Sequence, residues 1–213
     1  MKKFIIPMIL AAFLMFGACG EKAKELKEIA KIAKDAPKKA KQMEEKMSRA
    51  EKIREKRRER GDTTAMHYKK LQDMLPQSLP GYEGPELSGE SVNMGRFSMS
   101  NASAEFTKET DNGRSRINIK LVDYNENYGM LAGMTTWLDG YSRENDQGYE
   151  RTFDCGIKDA FAMEKYRNER ERAELTYYVG YRFLLTITGT KQKDTKFLKK
   201  AADQMPLKKM SNM

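Results

Sequence analysis

The segment AELTYYVGYRFLLTITG, residues 173–189, contains the two strongest β-strand signals of the chain. Both halves are rich in β-branched and aromatic residues, and each half ends at a glycine. Successive side chains of a strand point to opposite faces, so Tyr177 and Tyr178 are expected on different sides of a sheet. The segment therefore predicts two successive strands joined by a tight turn.

Further strands are predicted on the amino-terminal side of this segment. YERTFD (149–154) and AFAMEKYR (160–167) each predict a short strand. FSMSNASAEFTKE (97–109) and RINIKLVDY (116–124) alternate apolar with polar residues, and turn residues separate them. These two stretches predict a hairpin with one buried face.

Helical spacing separates and flanks these strands. TTAMHYKKLQDML (63–75), NYGMLAGMTTWLDG (127–140) and DTKFLKKAADQM (194–205) each place apolar residues on one side of a helix. The order is helix, two strands, helix, four strands, helix. Successive strands with tight turns favour an antiparallel sheet, so we expect an α+β domain over residues 62–213, with five to six strands and packed helices.

The amino terminus, MKKFIIPMILAAFLMFGAC, has the features of an export signal. Two lysines precede an apolar segment over residues 4–16, which is too short to span a bilayer as a mature helix. Small residues follow, just before Cys19. Residues 16–19 resemble the lipobox of bacterial lipoproteins, with Phe16 where leucine is usual.

This resemblance implies that residues 1–18 are a lipoprotein signal peptide and that the mature chain begins at an acylated Cys19. Each buried methylene contributes about 0.8 kcal/mol, and two or three acyl chains, such as palmitate, anchor a protein durably. Gly20 follows the cysteine in place of aspartate, which by the retention rule of proteobacterial lipoproteins implies passage to the outer membrane. We therefore expect a lipid-anchored protein of the bacterial cell envelope, at the outer membrane that bounds the periplasm.

The positive charge of the chain is concentrated beside the expected anchor. Removing the signal peptide takes two lysines and lowers the formal charge from +9 to +7. Residues 21–60 hold 16 Lys and Arg against 9 Asp and Glu, whereas residues 61–213 hold 22 of each. A basic segment on an exported lipoprotein favours anionic head groups or cell-wall polymers over nucleic acid. The alternative is a solvated helix whose charges only keep it soluble.

Residues 19–61 are expected to form a lipid-anchored, basic helical tether. Apolar residues from Leu26 to Ala50 recur in alternating steps of three and four, which is the spacing of a coiled-coil seam. Four of the eight seam positions are alanine, and Pro37 removes a backbone N–H in the middle. We expect two helical pieces, about 22–35 and 37–60, that act as a solitary spacer rather than as a stable coiled coil.

The domain also resembles known families. LPGYEG (79–84), TTWLDGY (135–141) and GYRFLLTITG (180–189) are similar to stretches of uncharacterised lipoproteins of the Bacteroides group, and this similarity covers most of residues 63–210. The element order resembles the PsbP-like α+β fold of extrinsic photosystem proteins and their bacterial relatives. Neither resemblance implies a particular chemistry or a functional residue.

The residues that most often carry chemistry are sparse or lack the required spacing. His67 is the single histidine, so a histidine-based zinc site is not expected. Cys155 is the single cysteine besides Cys19, so no internal disulfide is expected once Cys19 is acylated. DYNENYG, from residue 123, begins like a calcium loop, but Tyr128 stands where the turn glycine belongs. We expect no metal and no cofactor.

Aromatic residues indicate a candidate binding surface. Trp137, Tyr141, Tyr177 and Tyr178 belong to a domain rich in tyrosine, whose ring packs while its hydroxyl stays hydrated. Packing in the core is the alternative role for these residues. We predict a non-enzymatic binding or assembly module that meets an envelope protein, a glycan or a peptide. The alternative is an envelope hydrolase or other enzyme that uses carboxylates assembled by the fold.

Overall fold

The structure is a computed structural model that describes residues 21–95, 97–111, 113–125, 135 and 138–213, with side chains from residue 36 onward. Its helices are α1 (Glu21–Glu59), α2 (Tyr68–Gln72), α3 (Lys196–Ala202) and α4 (Leu207–Met210). Its strands are β1 (Glu83–Met94), β2 (Phe97–Lys108), β3 (Ser115–Asp123), β4 (Ser142–Asn145), β5 (Gly148–Phe153), β6 (Ala160–Arg167), β7 (Arg172–Val179) and β8 (Phe183–Gly189).

The described strands form one antiparallel sheet in the order β1-β2-β3-β8-β7-β6-β5-β4. The chain builds three strands from one edge, crosses to the other edge, and builds five strands back until β8 lies beside β3. These two strands are central because their alternate residues are large and apolar, with Ile119 opposite Ile187 and Leu121 opposite Leu185. The segment AELTYYVGYRFLLTITG, residues 173–189, is thus the β7–β8 hairpin at the middle of the sheet.

One face of the sheet carries the hydrophobic core. Burial alternates strictly along β8, as expected for a strand covered mainly on one side. Apolar residues of α2, α3 and α4 cover this face, among them Leu71, Leu198 and Met210, which are all fully buried. Burial of such side chains contributes about 1.5–3 kcal/mol each and is the main force that holds the helices to the sheet.

The expected α+β domain with five to six strands and packed helices is wrong. The sheet has eight strands in the described part of the chain, the helices that accompany it are short, and the fold is mostly β. The six expected strands correspond to β2, β3 and β5–β8, and the sequence pattern missed the two edge strands. β1 reads EGPELSGESVNM and β4 reads SREN, with little or no burial along either. An edge strand that buries few side chains carries no period-two signal, which explains the error.

The expected helices also differ in length. TTAMHYKKLQDML contributes a helix of five residues, because the N–H groups of Ala65 and Met66 donate to Ser98 and Asp123 instead of entering a helix. The closing helix begins after Thr195 and spans seven residues. The helix expected over residues 127–140 falls mostly outside the described residues.

α1 is one assigned helix that contains Pro37, rather than two helical pieces. Proline removes only one backbone N–H donor from a helix, so the other backbone hydrogen bonds can continue on both sides of Pro37. The compact unit that holds the sheet begins at Gln42, so it includes part of the expected tether, and Ala50 in this part is 1% exposed. Among the described helices, none combines the length and the apolar character needed to cross a membrane.

Candidate functional site

A cavity of about 380 Å³ lies between the second half of α1, residues 42–59, and the end of the sheet at the β7–β8 turn. We call it the α1–sheet cavity. Its volume is at the lower end of the range found for small-molecule sites. The residues that define its chemistry are Lys46 and Arg49 of α1, Asp159 before β6, Phe161 of β6, Tyr178 of β7 and Tyr181 of the turn.

One wall of the cavity is aromatic. Phe161 and Tyr178 are opposite each other on β6 and β7, with ring centroids 5.9 Å apart. Strand alternation directs Tyr178 to the cavity, while Tyr177 points into the core and is 4% exposed. Burial raises the pKa of Tyr178, so its hydroxyl stays protonated at neutral pH and can donate a hydrogen bond to a ligand.

A polar connection joins α1 to the β7–β8 turn at this cavity. Arg49 Nη2 donates to Asp159 Oδ2 at 2.9 Å, and the Tyr181 hydroxyl lies 3.5 Å from Asp159 Oδ1. The Asp159 side chain is 11% exposed, whereas that of Arg49 is 48% exposed. A ligand would therefore meet charged and hydrogen-bonding groups beside the aromatic wall.

Tyr181 has a backbone conformation that large side chains rarely adopt. The N–H of Arg182 donates to the carbonyl of Val179 at 3.2 Å, which closes a turn around two residues. The φ angles of these residues, Gly180 and Tyr181, are 62° and 53°. Two positive φ values are typical of a type I′ turn, whose second central position favours glycine. A tyrosine there costs about 1–2 kcal/mol relative to the usual conformation.

Asp159, which contacts Tyr181, also has a positive φ, of 55°. Residues in sparsely populated backbone conformations collect at active sites and ligand-binding loops, where the surrounding structure keeps them in place. Of the five described non-glycine residues with a positive φ, two line this one cavity beside an aromatic wall. This coincidence makes the α1–sheet cavity the candidate functional site.

Arg182 fixes the turn to the rest of the protein through buried charges. Its Nη1 donates to Asp62 Oδ2 at 2.7 Å, and it also holds Asp123 at the end of β3. Arg57 of α1 donates to the same oxygen of Asp62 at 3.1 Å and to the carbonyl oxygen of Asn125 at 3.2 Å. Burial would lower the pKa of Arg182, but hydrogen bonds and charge attraction from Asp123 and Asp62 raise it. This network keeps α1, β3 and the turn in a fixed arrangement around the cavity.

Glu164 of β6 is a second buried carboxylate, 2% exposed and on the core face. It accepts hydrogen bonds from Arg151 at 2.7 Å and from Thr195, and forms an ion pair with Lys199 at 2.9 Å. Burial would raise the pKa of Glu164, but the hydrogen bonds from Thr195, Lys199 and Arg151 lower it. Both carboxylate oxygens are therefore engaged. Because the partners belong to β5 and to the start of α3, Glu164 stabilises the contact of β5 and β6 with α3.

The residues predicted from sequence are found in different places. Cys19 and Trp137 lie outside the described residues, although Thr135 and Asp139, which flank Trp137 in sequence, line the cavity. Tyr141 is half-buried and directly precedes β4. Its carbonyl accepts the N–H of Thr152 at 2.9 Å.

The two neighbouring tyrosines of β7 separate as alternation requires. Tyr177 packs edge-to-face against Phe153, with ring centroids 5.8 Å apart, and burial raises its pKa. Tyr178 is therefore the member of the predicted aromatic set whose described side chain lines the cavity.

Sequence reasoning missed Arg49, Asp159 and Arg182. Arg49 is one of many basic residues in its segment, and nothing local distinguishes it. Asp159 precedes a strand in a loop, where aspartate is common. Tyr181 did carry a signal, since a bulky residue directly after Gly180 is unusual between two strong strands joined by a short turn, whereas Arg182 carried none of this kind.

Three carboxylates line the cavity, Glu45, Asp139 and Asp159. Asp159 is engaged by Arg49, so it serves as an ion-pair acceptor. Across the described residues, no group of three or more His, Cys, Asp and Glu is arranged to hold a metal ion.

His67 and Cys155 lie away from the cavity lining. His67 is exposed, and its Nδ1 accepts the N–H of Lys69 at 3.4 Å at the start of α2. Cys155 is a half-buried free thiol that packs against the core. These contacts indicate a structural role for both residues, at the start of a helix and at the edge of the core.

Comparison with known proteins assigns no relative to this fold or cavity. No protein-family model matches the chain, and no curated protein or solved structure matches it. The function of the cavity therefore has to be inferred from its own side chains.

Proposed function

We propose that this chain is a lipid-anchored lipoprotein of the bacterial cell envelope that acts as a non-enzymatic binding module, with its ligand in the α1–sheet cavity. The lipobox-like residues 16–19 and the basic segment 21–60 support attachment to a bilayer. The single observation that carries the binding proposal is the strained pair Tyr181 and Asp159 beside an aromatic wall.

The side chains of the cavity favour a ligand with both flat apolar surfaces and charged groups. Phe161 and Tyr178 suit the apolar face of a sugar ring or a peptide side chain. Lys46 and Arg49 can bind carboxylates, and Asp159 can accept hydrogen bonds from hydroxyl or ammonium groups. A cell-wall fragment that combines sugars with a short peptide has all these groups, and the cavity would hold a small part of it.

The alternative, an envelope hydrolase that uses carboxylates assembled by the fold, has less support. Such an enzyme needs a carboxylate that is free to act on its substrate. Asp159 is bound by Arg49, and Glu164 is bound by Arg151, Lys199 and Thr195. Glu45 and Asp139 also line the cavity, but both are exposed to solvent instead of being held within the protein as a positioned acid or base. A binding module therefore agrees better with these carboxylates.

Ligand binding can be tested with the full acylated protein in detergent micelles. Trp137 is the single tryptophan, so its emission can report binding without a label. The probes are a cell-wall disaccharide-tetrapeptide, its free disaccharide and its free tetrapeptide. We expect the first probe to bind and Tyr178→Ala to weaken its binding at least about tenfold, as loss of an aromatic anchor does.

The matched control is Phe97→Ala, which removes an exposed aromatic side chain that does not line the cavity. This variant should bind the probe as tightly as the unmodified protein. Absence of binding by all three probes, or equal weakening by Phe97→Ala and Tyr178→Ala, would contradict the proposed site.

Membrane attachment is tested separately, by mass spectrometry of the mature amino terminus. We expect an acylated Cys19 and loss of residues 1–18. The Cys19→Ala variant should leave the membrane fraction, while Cys155→Ala, at the half-buried thiol, should stay in it. An unmodified amino terminus, or retention of residues 1–18, would refute the lipid anchor while leaving the cavity proposal intact.

A further inference from the structure

β1 is a long edge strand whose outer side has no partner in the described structure. It spans twelve residues and pairs with β2 along most of its length. Among the described residues, no backbone hydrogen bond joins residues 83–94 to any element other than β2. The N–H and C=O groups that point away from β2 are therefore available to another strand.

The usual protections of an edge strand are weak along β1. Natural edge strands are kept short or carry lysine, proline or a bulge that discourages pairing with other chains. The opposite edge, β4, has four residues, all exposed. β1 contains no lysine or arginine, and its proline, Pro85, and its register shift lie at one end, so the segment from residue 86 to residue 94 is regular.

Exposed apolar side chains are concentrated at this edge. Four large apolar side chains of the described residues are conspicuously exposed, and three of them belong to β1 or to the first residue of β2. They are Leu87, Met94 and Phe97, at 44%, 66% and 38% exposure. Met94 and Phe97 lie directly opposite each other, and alternation places Leu87 on the other face of β1. A partner strand at this edge would cover exposed apolar surface on both faces.

The charges on β1 indicate which partner would fit. Glu86 lies directly opposite Glu105 of β2, and Glu90 lies on the same face four residues further along. None of these glutamates forms a salt bridge with another described residue. Like charges opposite each other destabilise a sheet, so basic side chains beside them would stabilise it.

We propose that β1 accepts an extended, lysine- or arginine-rich segment of another envelope protein as an additional strand of the sheet. Backbone hydrogen bonds would provide affinity, as in other cases of strand addition. Basic side chains of the segment would lie beside Glu86 and Glu90, and apolar side chains on its other face would lie beside Leu87. This surface is independent of the α1–sheet cavity.

A second copy of this chain fits the edge less well than a basic segment. In an antiparallel pairing of two β1 strands centred on Ser88, Glu86 of each copy would face Glu90 of the other. Such a pairing would add two repulsive contacts to the one between Glu86 and Glu105. Charge complementarity therefore selects a basic partner.

The test uses the full acylated protein and three labelled peptides of about ten residues, read by fluorescence anisotropy at low salt. The first alternates lysine with valine, the second has the same sequence with alternate amides N-methylated, and the third alternates glutamate with valine. We expect the first peptide to bind and to slow amide hydrogen exchange along β1. The other two should bind at least about tenfold more weakly, a difference of about 1.4 kcal/mol.

The double variant Glu86→Lys, Glu90→Lys should weaken binding of the basic peptide at least about tenfold, while Glu144→Lys on the exposed edge β4 should not. Circular dichroism and thermal unfolding would show that both variants are folded, as expected for exposed positions. Three results would overturn the proposal: no binding of the basic peptide, equal binding of its N-methylated form, or no effect of the double variant. Self-association that the double variant abolishes would instead assign the edge to a second copy of this chain.

Discussion

Arg182 holds Asp123 in a bidentate pair, with Nε to Oδ1 at 2.8 Å and Nη2 to Oδ2 at 2.7 Å. The side chains are 3% and 0% exposed. A buried pair depends strongly on both members, because removing one leaves an uncompensated charge in the interior. The pair connects β3 to the β7–β8 turn, so the position of Tyr181 at the cavity depends on it.

Replacement of the arginine should therefore destabilise the whole fold. We expect Arg182→Met to lower the free energy of unfolding by about 3–5 kcal/mol, since Asp123 would remain buried without its cation. Urea unfolding followed by circular dichroism measures the change. The control is Arg114→Met, which breaks the exposed ion pair with Glu109 and should leave the urea midpoint unchanged. A midpoint for Arg182→Met equal to that of the control would contradict this role of the pair.

Acid should weaken the fold through Glu164 and Asp62, whose pKa values are lowered in the folded state. For Asp62, burial would raise the pKa, and the hydrogen bond from Arg57 and the charge of Arg182 lower it. A carboxyl with a lowered folded pKa contributes stability above its unfolded pKa, and this contribution is lost as the pH falls through the folded pKa. We expect the free energy of unfolding to be nearly constant around neutral pH and to decline below about pH 4.5.

The contribution of Glu164 can be separated by substitution. Glu164→Gln cannot titrate, so its free energy of unfolding should decline less steeply between about pH 4.5 and pH 2 than that of the unmodified protein. Thr195→Val removes one of the donors that lower the pKa of Glu164 and should give an intermediate slope. Urea titrations at stepped pH measure these slopes. Identical slopes for all three proteins would show that Glu164 does not control acid stability.

The sequence predicted the strands that bury one face and missed those that do not. Ile117, Ile119 and Leu121 of β3 alternate with polar residues because only one side of the strand meets the core. β1 and β4 lie at the edges, where backbone pairing with one neighbour is enough to hold a strand whose side chains stay exposed. Backbone pairing leaves no trace in side-chain periodicity, so the size of the sheet could not be predicted from that pattern.

The cavity could be predicted only in part for a similar reason. Alternation alone places Tyr178 on the face opposite Tyr177. The contact of Arg49 with Asp159 joins residues 110 positions apart, and their meeting depends on the docking of α1 on the finished sheet. Local spacing carries no information about such a contact. The tyrosine directly after Gly180 is the local feature from which this place could have been predicted.

Tyr181→Gly should separate stability from binding. Glycine adopts a φ of 53° without strain, which offsets the loss of the ring and of its contact with Asp159. We expect the free energy of unfolding to change by less than about 1 kcal/mol, while affinity for the cell-wall probe falls at least about tenfold. Thermal unfolding and Trp137 emission measure the two quantities on the same sample. A large loss of stability, or unchanged affinity, would show that Tyr181 is kept for packing rather than for binding.

The turn requires glycine at position 180, its other central residue, for two reasons: the positive φ angle and the lack of space for a side chain. Its φ is 62°, and an added Cβ would lie 3.0 Å from the Met210 carbonyl oxygen and from the Ser211 Cα. Gly156 has a nearly equal φ of 65°, but nothing lies within 4 Å of its Cβ position. We expect Gly156→Ala to lower the free energy of unfolding by about 1 kcal/mol through backbone strain, and Gly180→Ala by about 2–3 kcal/mol, because the clash with the α4 end is added. Urea unfolding measures the two losses. Equal losses would mean that the close packing of the turn against the end of α4 does not add to the cost of a side chain at position 180.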